Sequence, residues 1–304
     1  MLTVAMILDA ILGEARWLRL GLPHPIILIG EVISGLERRL NTGARRRTKG
    51  VLAVAILIAL GLLTSVPVAI WEHGWIVETW IAAILIAQRS LVDHVKAVAE
   101  GLHVSLLQGR IAVSMIVGRD PESLDESGVA RAAIESAAEN FSDGVFAPVF
   151  WCALAGLPGI LIYKIVNTAD SMIGHRTERY EAFGWASARL DDLMNYIPAR
   201  LSGGIFCLVG PSIEALRVMV SDAQKHRSPN AGWPESAMAA LLGVAVAGPR
   251  KYGDRIVEDA YINADGRLEC DAGDIDRAIL VLWRAWTIIL ILALTTLLIE
   301  RSMT

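Results

Sequence analysis

Between Glu135 and Arg200, carboxylates, carboxamides and cations recur at helical intervals beside strongly apolar runs. Ionisable groups in such a setting are costly unless they are paired, hydrated or used, so chemistry is sought here first. Glu135, Glu139 and Asp143 stand at i, i+4 and i+8, which on a helix puts three like charges on one face. They repel there unless a cation or cationic substrate sits between them; a solvated helix face is the alternative. Asn140 and Ser142 add neutral oxygens beside that face. Such a donor set suits Mg2+, which binds through one or two carboxylates and keeps water or phosphate oxygens for the rest.

Lys164, Asn167 and Asp170/Ser171 follow as a second polar stripe. Lys164 can also serve as an interface anchor whose stem lies along apolar surface. Asp170 is harder to assign to solvent, because Thr168, Ala169, Met172 and Ile173 surround it. Arg176 and Arg179 are one turn apart, and Arg189, Asp191, Asp192, Asn195 and Arg200 form a further charged group. Within it Arg189–Asp192 (i, i+3) and Asp191–Asn195 (i, i+4) can pair, so purely structural ion pairs are one account. The functional account is Arg gripping a phosphate or carboxylate bidentately, with Asp holding Mg2+ or orienting the Arg. There is no P-loop, dinucleotide fingerprint, HExxH or GxSxG elbow, so a nucleotide, if used, is not held by a P-loop. The three cysteines, Cys152, Cys207 and Cys270, are far apart and show neither a disulfide framework nor a zinc pattern. His24 and His175 lack ligand spacing.

The elements that position these groups are membrane helices. Of 304 residues 54% are hydrophobic, and the mean hydropathy is +0.48. Soluble domains sit near 45–50% apolar, so the excess points to lipid, while 20% charged residues require sizeable polar segments. With a net charge of −4 and no long basic stripe, nucleic acid is excluded as a partner class. Val51–Ile70 is long enough to cross a hydrocarbon core of about 30 Å. Trp286–Ile299 is shorter, extended by Arg284 and Arg301, and Trp75–Ala87 returns as a weaker span after the WEHG turn. The basic run from Arg38 to Lys49 places its end in the cytoplasm, near lipid headgroups. The opening MLTVAMILDAILGEARW lacks a basic leader region, so no cleavable signal is expected.

Ile26, Ile29, Ile33, Leu36 and Leu40 give His24–Leu40 one apolar stripe, starting at Pro25 and stopping at Asn41-Thr42-Gly43. That helix lies on the membrane or packs on a neighbour; the stripe fits both. Residues 88–144 read as a largely cytoplasmic helical segment, in which Ser123-Leu-Asp-Glu126 has the spacing of a capping box for a helix through Glu139. Phe146–Val166 is broken by Gly156-Leu157-Pro158-Gly159 into halves too short to span. A re-entrant hairpin within 145–200 is favoured over a full crossing, because the polar motifs on both flanks of the apolar segment then meet. Tyr261–Cys270, with Asp265-Gly266, suggests a short β-hairpin. The expected fold is an all-α, polytopic helical membrane protein with amphipathic and re-entrant helices and cytoplasmic polar segments, in one membrane-embedded domain over 1–304.

These motifs resemble the CbiB/CobD family of cobalamin biosynthesis, the adenosylcobinamide-phosphate synthases. The stretches are LPHP at 22–25, VSMIVGRD at 113–120, AEN-SDG-AP at 138–148 and YKIVNTADSMIGH at 163–175. RYEAFGWASARLDDLMNYIPARL at 179–201 and SPNAGWPESAMAALLGV at 228–244 continue them in order. The chain departs from the family at Glu14-Ala15, where an acidic-Pro pair is common. The resemblance implies a membrane-associated C–N ligase, and the basic run before Val51 leads us to expect it in the inner membrane with its site facing the cytoplasm. Such a ligase attaches (R)-1-amino-2-propanol phosphate, or an ethanolamine equivalent, to adenosylcobyric acid with ATP and Mg2+. For that reaction Asp143, Asp170, Asp191 and Asp192 are candidates for metal or base, with Asp143, Asp170 and Asp192 offered to Mg2+. Lys164, Arg189 and Arg200 are candidates for phosphate or carboxylate. Glu139, Asn140, Asn167, Arg176 and Asn195 would bind and orient substrate. Expected partners are the corrinoid, the amino-alcohol phosphate and lipid, with a homo-oligomer or a complex with other late cobalamin enzymes. The competing classes are a transporter or sensor and an AmpE-like membrane regulator, each binding a ligand through the central charges.

Overall fold

Helices carry almost the whole chain. In the computed structural model, residues 1–18, 24–118, 121–252, 255–257 and 259–303 are described. Leu22 and Pro23 of the LPHP motif, and Arg119 and Asp120 of VSMIVGRD, lie outside the described residues. The helices are α1 Leu2–Leu18, α2 Pro25–Leu40, α3 Arg46–Ile70, α4 Gly74–Leu85, α5 Gln88–Val104, α6 Leu106–Val113 and α7 Glu126–Asn140. After a π-turn at Phe141–Phe146 come α8 Ala147–Ile173, α9 Trp185–Val209, α10 Ile213–Asp222, α11 Gly232–Leu242 and α12 Ala272–Met303. The strands are short pairs: β1 Val246–Ala247 with β4 Tyr261–Ile262, and β2 Arg250–Tyr252 with β3 Arg255–Val257. The fold is all-α, as expected. Among the described residues four helical stretches are long and apolar enough to cross a membrane: Arg46–Ile70, Gly74–Val104, Glu126–Ile173 and Ala272–Ile299.

The chain divides into two compact units, Met1–Arg89 with Asp143–Asn195, and Ser90–Ser142 with Tyr196–Thr304. In the first, the stripe on α2 packs inward. Ile33 is buried against Ala53 and Leu57 of α3 and Ile165, Ala169 and Ile173 of α8, and the partly buried Ile29, Leu36 and Leu40 pack on the same cluster. His24 caps α2 by accepting the Ile26 N–H at 3.2 Å, and Pro25 occupies the first turn, where its missing donor costs nothing. Small residues let α3 approach closely: a Cβ at Gly50 would overlap the Phe183 carbonyl, and one at Gly61 would lie 2.8 Å from Ile165 Cδ1. Asp9, which interrupts the apolar opening run, is buried and accepts the Gln88 N–H at the start of α5 at 3.1 Å.

Helix α8 reverses within itself. Ala155 (φ −142, ψ 19) and Gly156 (φ 60, ψ −146) leave helical geometry, and the second is a conformation that glycine reaches without a Cβ penalty. The Tyr163 hydroxyl lies 2.9 Å from the Asp143 carbonyl oxygen, whereas a continuous helix would hold those residues about 30 Å apart. Gly159 completes the turn, since a Cβ there would overlap the Trp151 carbonyl.

In the second unit α7 begins at Glu126, but its cap is Asp125, whose carboxylate accepts the Gly128 N–H at 2.7 Å. Ser123, which the capping-box spacing favoured, sits in a 3-10 turn instead. Asp125 takes the role because its backbone is extended (φ −76, ψ −178), which lets its oxygen reach the third helical N–H. Tyr261–Cys270 is not a self-contained hairpin. Tyr261 and Ile262 pair with Ala247 and Val246, and the Asn263 carboxamide ties the following turn to the Ala239 and Val244 carbonyls.

Candidate functional site

The reversal in α8 sets its second arm beside α9 within the first unit. The arm presents Tyr163, Asn167 and Asp170 at i, i+4 and i+7, and α9 presents Asp191, Asp192 and Asn195. Asn167 Nδ2 donates to Asp191 Oδ1 at 3.2 Å, and Asn195 Nδ2 donates to Asp191 Oδ2 at 3.0 Å. The Tyr163 hydroxyl also lies 2.9 Å from Asn195 Oδ1, so one proton serves two acceptors. Trp151 Nε1 donates to the Met194 carbonyl at 3.2 Å and ties the first arm of α8 to α9. The result is a buried polar chain from the Asp143 carbonyl through Tyr163 and Asn195 to Asp191 and Asn167. Asn195 is 1% and Asp191 9% exposed, so this geometry is enforced by packing.

Its charge is concentrated. Burial, and then the nearby Asp170 carboxylate, push Asp191 up to about 7, against the pull of its two amide donors. Asp192 is also raised by burial, opposed by Arg189 and Arg176. Both intrahelical pairs anticipated in α9 are formed, with Arg189 Nη1 at 3.4 Å from Asp192 Oδ2 and Asp191 bonded to Asn195. Lys164 is buried at 6% exposure, while Ser171 and Arg176 are exposed. Asp143 lies half-buried in the π-turn, a feature frequent at functional sites.

The other candidates lie in the second unit. Glu135 is buried and accepts the Ala247 N–H at 2.7 Å, whereas Glu139 and Asn140 are exposed. Asn140 Nδ2 donates to the Ser136 carbonyl at 2.8 Å. Glu135 and Glu139 therefore have different surroundings, and the π-turn breaks the 3.6-residue register before Asp143. Arg200 lies over the Tyr196 ring, 3.5 Å from its centroid.

The structure adds two contributors, Tyr163 and Glu37. Tyr163 precedes Asn167 by four and Asp170 by seven, a spacing visible once the stripe is phased on Tyr163 rather than Lys164. Glu37, buried on α2, receives Nε and Nη2 of Arg179, each at 3.0 Å. The pair fixes the segment between α8 and α9 and holds the Glu37 carboxyl below its ordinary range, chiefly through the Arg179 hydrogen bond. No spacing rule links residues so far apart.

Among the described residues no three His, Cys, Asp or Glu side chains are placed to hold a metal by themselves. Both Asp191 oxygens already accept amide donors. Asp170 and Asp192 repel one another while lying close to an arginine-bearing helix face. Two carboxylates that feel one another's charge would suit Mg2+ that takes its remaining ligands from phosphate and water.

Residues 2–282 match the model of the CobD/Cbib protein family. The cobalamin biosynthesis protein CobD of Sinorhizobium fredii is 48% identical over 304 residues, covering 94% of this chain and 93% of that protein. The protein of the same description from Brucella suis is 49% identical over 300 residues, covering 93% and 91%. That of Rhodobacter capsulatus is 52% identical over 272 residues, 86% of each chain. No solved structure matches the chain.

Proposed function

The chain belongs to the CobD/Cbib protein family, and from that premise we propose that it is a membrane-bound C–N ligase of cobalamin biosynthesis. It joins adenosylcobyric acid to (R)-1-amino-2-propanol phosphate, or to ethanolamine phosphate, and yields adenosylcobinamide phosphate. The observation that carries this reading is Asp191, fixed between Asn167 and Asn195 and flanked by Asp170 and Asp192.

A carboxylate does not acylate an amine at neutral pH without activation. ATP, when bound, supplies the phosphoryl group that makes the corrin propionate an acyl donor, and a bound Mg2+ would supply charge neutralisation for its phosphates. Asp170 and Asp192 are the residues that would hold the metal, with Asp143 as a further carboxylate. Arg189 and Lys164 face the charge that develops on the phosphate. The amine arrives as an ammonium and must lose a proton before it attacks the acyl carbon. Asp191, poised at about 7, takes that proton: its value matches the working pH, which favours general-base action. Asn167 and Asn195 hold both carboxylate oxygens, and Tyr163 fixes Asn195 in turn. Attack forms the C–N bond, the acyl C–O bond breaks, and phosphate leaves with the electron pair.

The four apolar stretches are compatible with a multi-pass membrane protein. We place it in the inner membrane with the site toward the cytoplasm, because the basic run from Arg38 to Lys49 adjoins α3. The test is to supply the purified chain in detergent with adenosylcobyric acid, aminopropanol phosphate and Mg-ATP, and to follow adenosylcobinamide phosphate by mass. Product with matching release of ADP and phosphate supports the ligase. Ligand binding without any product favours a transporter, sensor or regulator.

A further inference from the structure

We propose that Arg200, in the second unit, is the guanidinium fork of a binding site for a phosphate ester. Arg200 lies near the middle of α9, one turn after Tyr196. Its guanidinium carbon is 3.5 Å from the Tyr196 ring centroid and 4.6 Å from that of Trp233, the second residue of α11. Nη1 donates to the Tyr196 carbonyl at 2.6 Å and to Asn230 Oδ1 at 3.4 Å. Two aromatic contacts and an anchored nitrogen fix the plane of a side chain that is otherwise among the most mobile.

The anchor is itself built. Asn230 is buried, and the Ser228 hydroxyl accepts the N–H groups of Asn230 and Ala231, each at 3.2 Å. His226 Nδ1 accepts the Ser228 N–H at 3.0 Å, which shapes the loop entering α11. The acids of this segment have basic partners of their own. Asp222 pairs with Lys225 at 2.8 Å, Asp259 with Arg227 at 2.7 Å, and Glu235 faces His226 at 3.7 Å. Among the described residues no carboxylate pairs with Arg200, and both of its hydrogen bonds leave from Nη1. Nε and Nη2 are the edge of the fork that receives two oxygens of one anion in parallel. The N-terminus of α11, on the same loop, adds positive potential of the same sign. An aromatic-clamped arginine without a carboxylate is a held charge awaiting an oxyanion.

The ligand class is the terminal phosphate of a small ester, and its source is either a nucleotide or a phosphorylated amine. The site rests on residues of the second unit alone and does not require the ligase reading. The experiment is calorimetry and 31P NMR on the full chain in detergent, without metal, using inorganic phosphate, ethanolamine phosphate and ATP, with acetate for comparison. Wild type should bind inorganic phosphate saturably. Arg200→Lys keeps the charge but loses the fork, and should weaken binding about tenfold, the worth of one charge-assisted hydrogen bond. Trp233→Leu keeps the arginine but frees its plane, and should weaken binding in the same direction. Arg217→Gln, which removes an exposed arginine, should leave the affinity unchanged. Tighter binding of ATP or of ethanolamine phosphate identifies the source. The proposal is overturned if folded wild type binds no phosphate saturably, or if Arg200→Lys and Trp233→Leu both bind it as wild type does. Loss of phosphate binding with retained ligase turnover would separate this site from the ligase centre.

Discussion

Asp191→Asn should remove the loss of stability that wild type suffers through this group as pH rises. In the folded chain burial and Asp170 lift this carboxyl from 3.8 to about 7. A group whose folded value lies above its unfolded one holds its proton more tightly when folded. Its stabilising share is complete below the unfolded value and is lost as pH rises through the folded one. From pH 5 to pH 8 the change spans roughly two units, at about 1.4 kcal/mol each, so wild type should lose about 2–3 kcal/mol through this group. The asparagine variant has no proton to release. It also sets an amide against the donors of Asn167 and Asn195, but that mismatch is a constant offset across the pH range. The assay is thermal unfolding of both proteins in one detergent at pH 5 and pH 8. The gap between wild type and variant should move by several degrees in favour of Asp191→Asn at the higher pH. An identical gap at the two values refutes the claim that Asp191 is a buried, raised carboxyl.

Tyr163→Phe leaves the Asp143 carbonyl and Asn195 Oδ1 without their shared proton, and should cost roughly 1–3 kcal/mol in unfolding experiments. It should also lower kcat more than it raises KM, because it loosens Asn195 rather than a substrate contact. Gly159→Ala puts a methyl against the Trp151 carbonyl, and should destabilise by roughly 1–3 kcal/mol or reduce the yield of inserted protein. Gly35→Ala, with open space around it, should be neutral or stabilise by about 0.5–1 kcal/mol on the same measure.

The apolar architecture was readable because it depends on length and period. The stripe on α2, the run in α3 and the break at Gly156–Gly159 are local patterns, and each has a local structural consequence. The pairs Asp191–Asn195 and Arg189–Asp192 were readable for the same reason, being one turn apart on a single helix. What lay beyond the sequence were contacts across elements. Glu37 and Arg179 meet only because α2 packs on α8 and the chain then turns back. The π-turn at Phe141–Phe146 has no compositional signature, so the spacing of Glu135, Glu139 and Asp143 alone reads as one regular helix. The two-unit division interleaves the sequence, which no boundary signal marks. The start of α7 slipped by two residues because serine and aspartate are both good caps, and the backbone at Asp125 decided between them.

The most direct test of the ligase centre is the single-turnover rate of Asp192→Asn with adenosylcobyric acid, aminopropanol phosphate and Mg-ATP. It should be run beside a check that the variant inserts and unfolds like wild type. Removing a charge that steadies the transition state should slow product formation by about 10²–10³. An inserted, folded Asp192→Asn that forms adenosylcobinamide phosphate at the wild-type rate would contradict a centre built on the α8–α9 carboxylates.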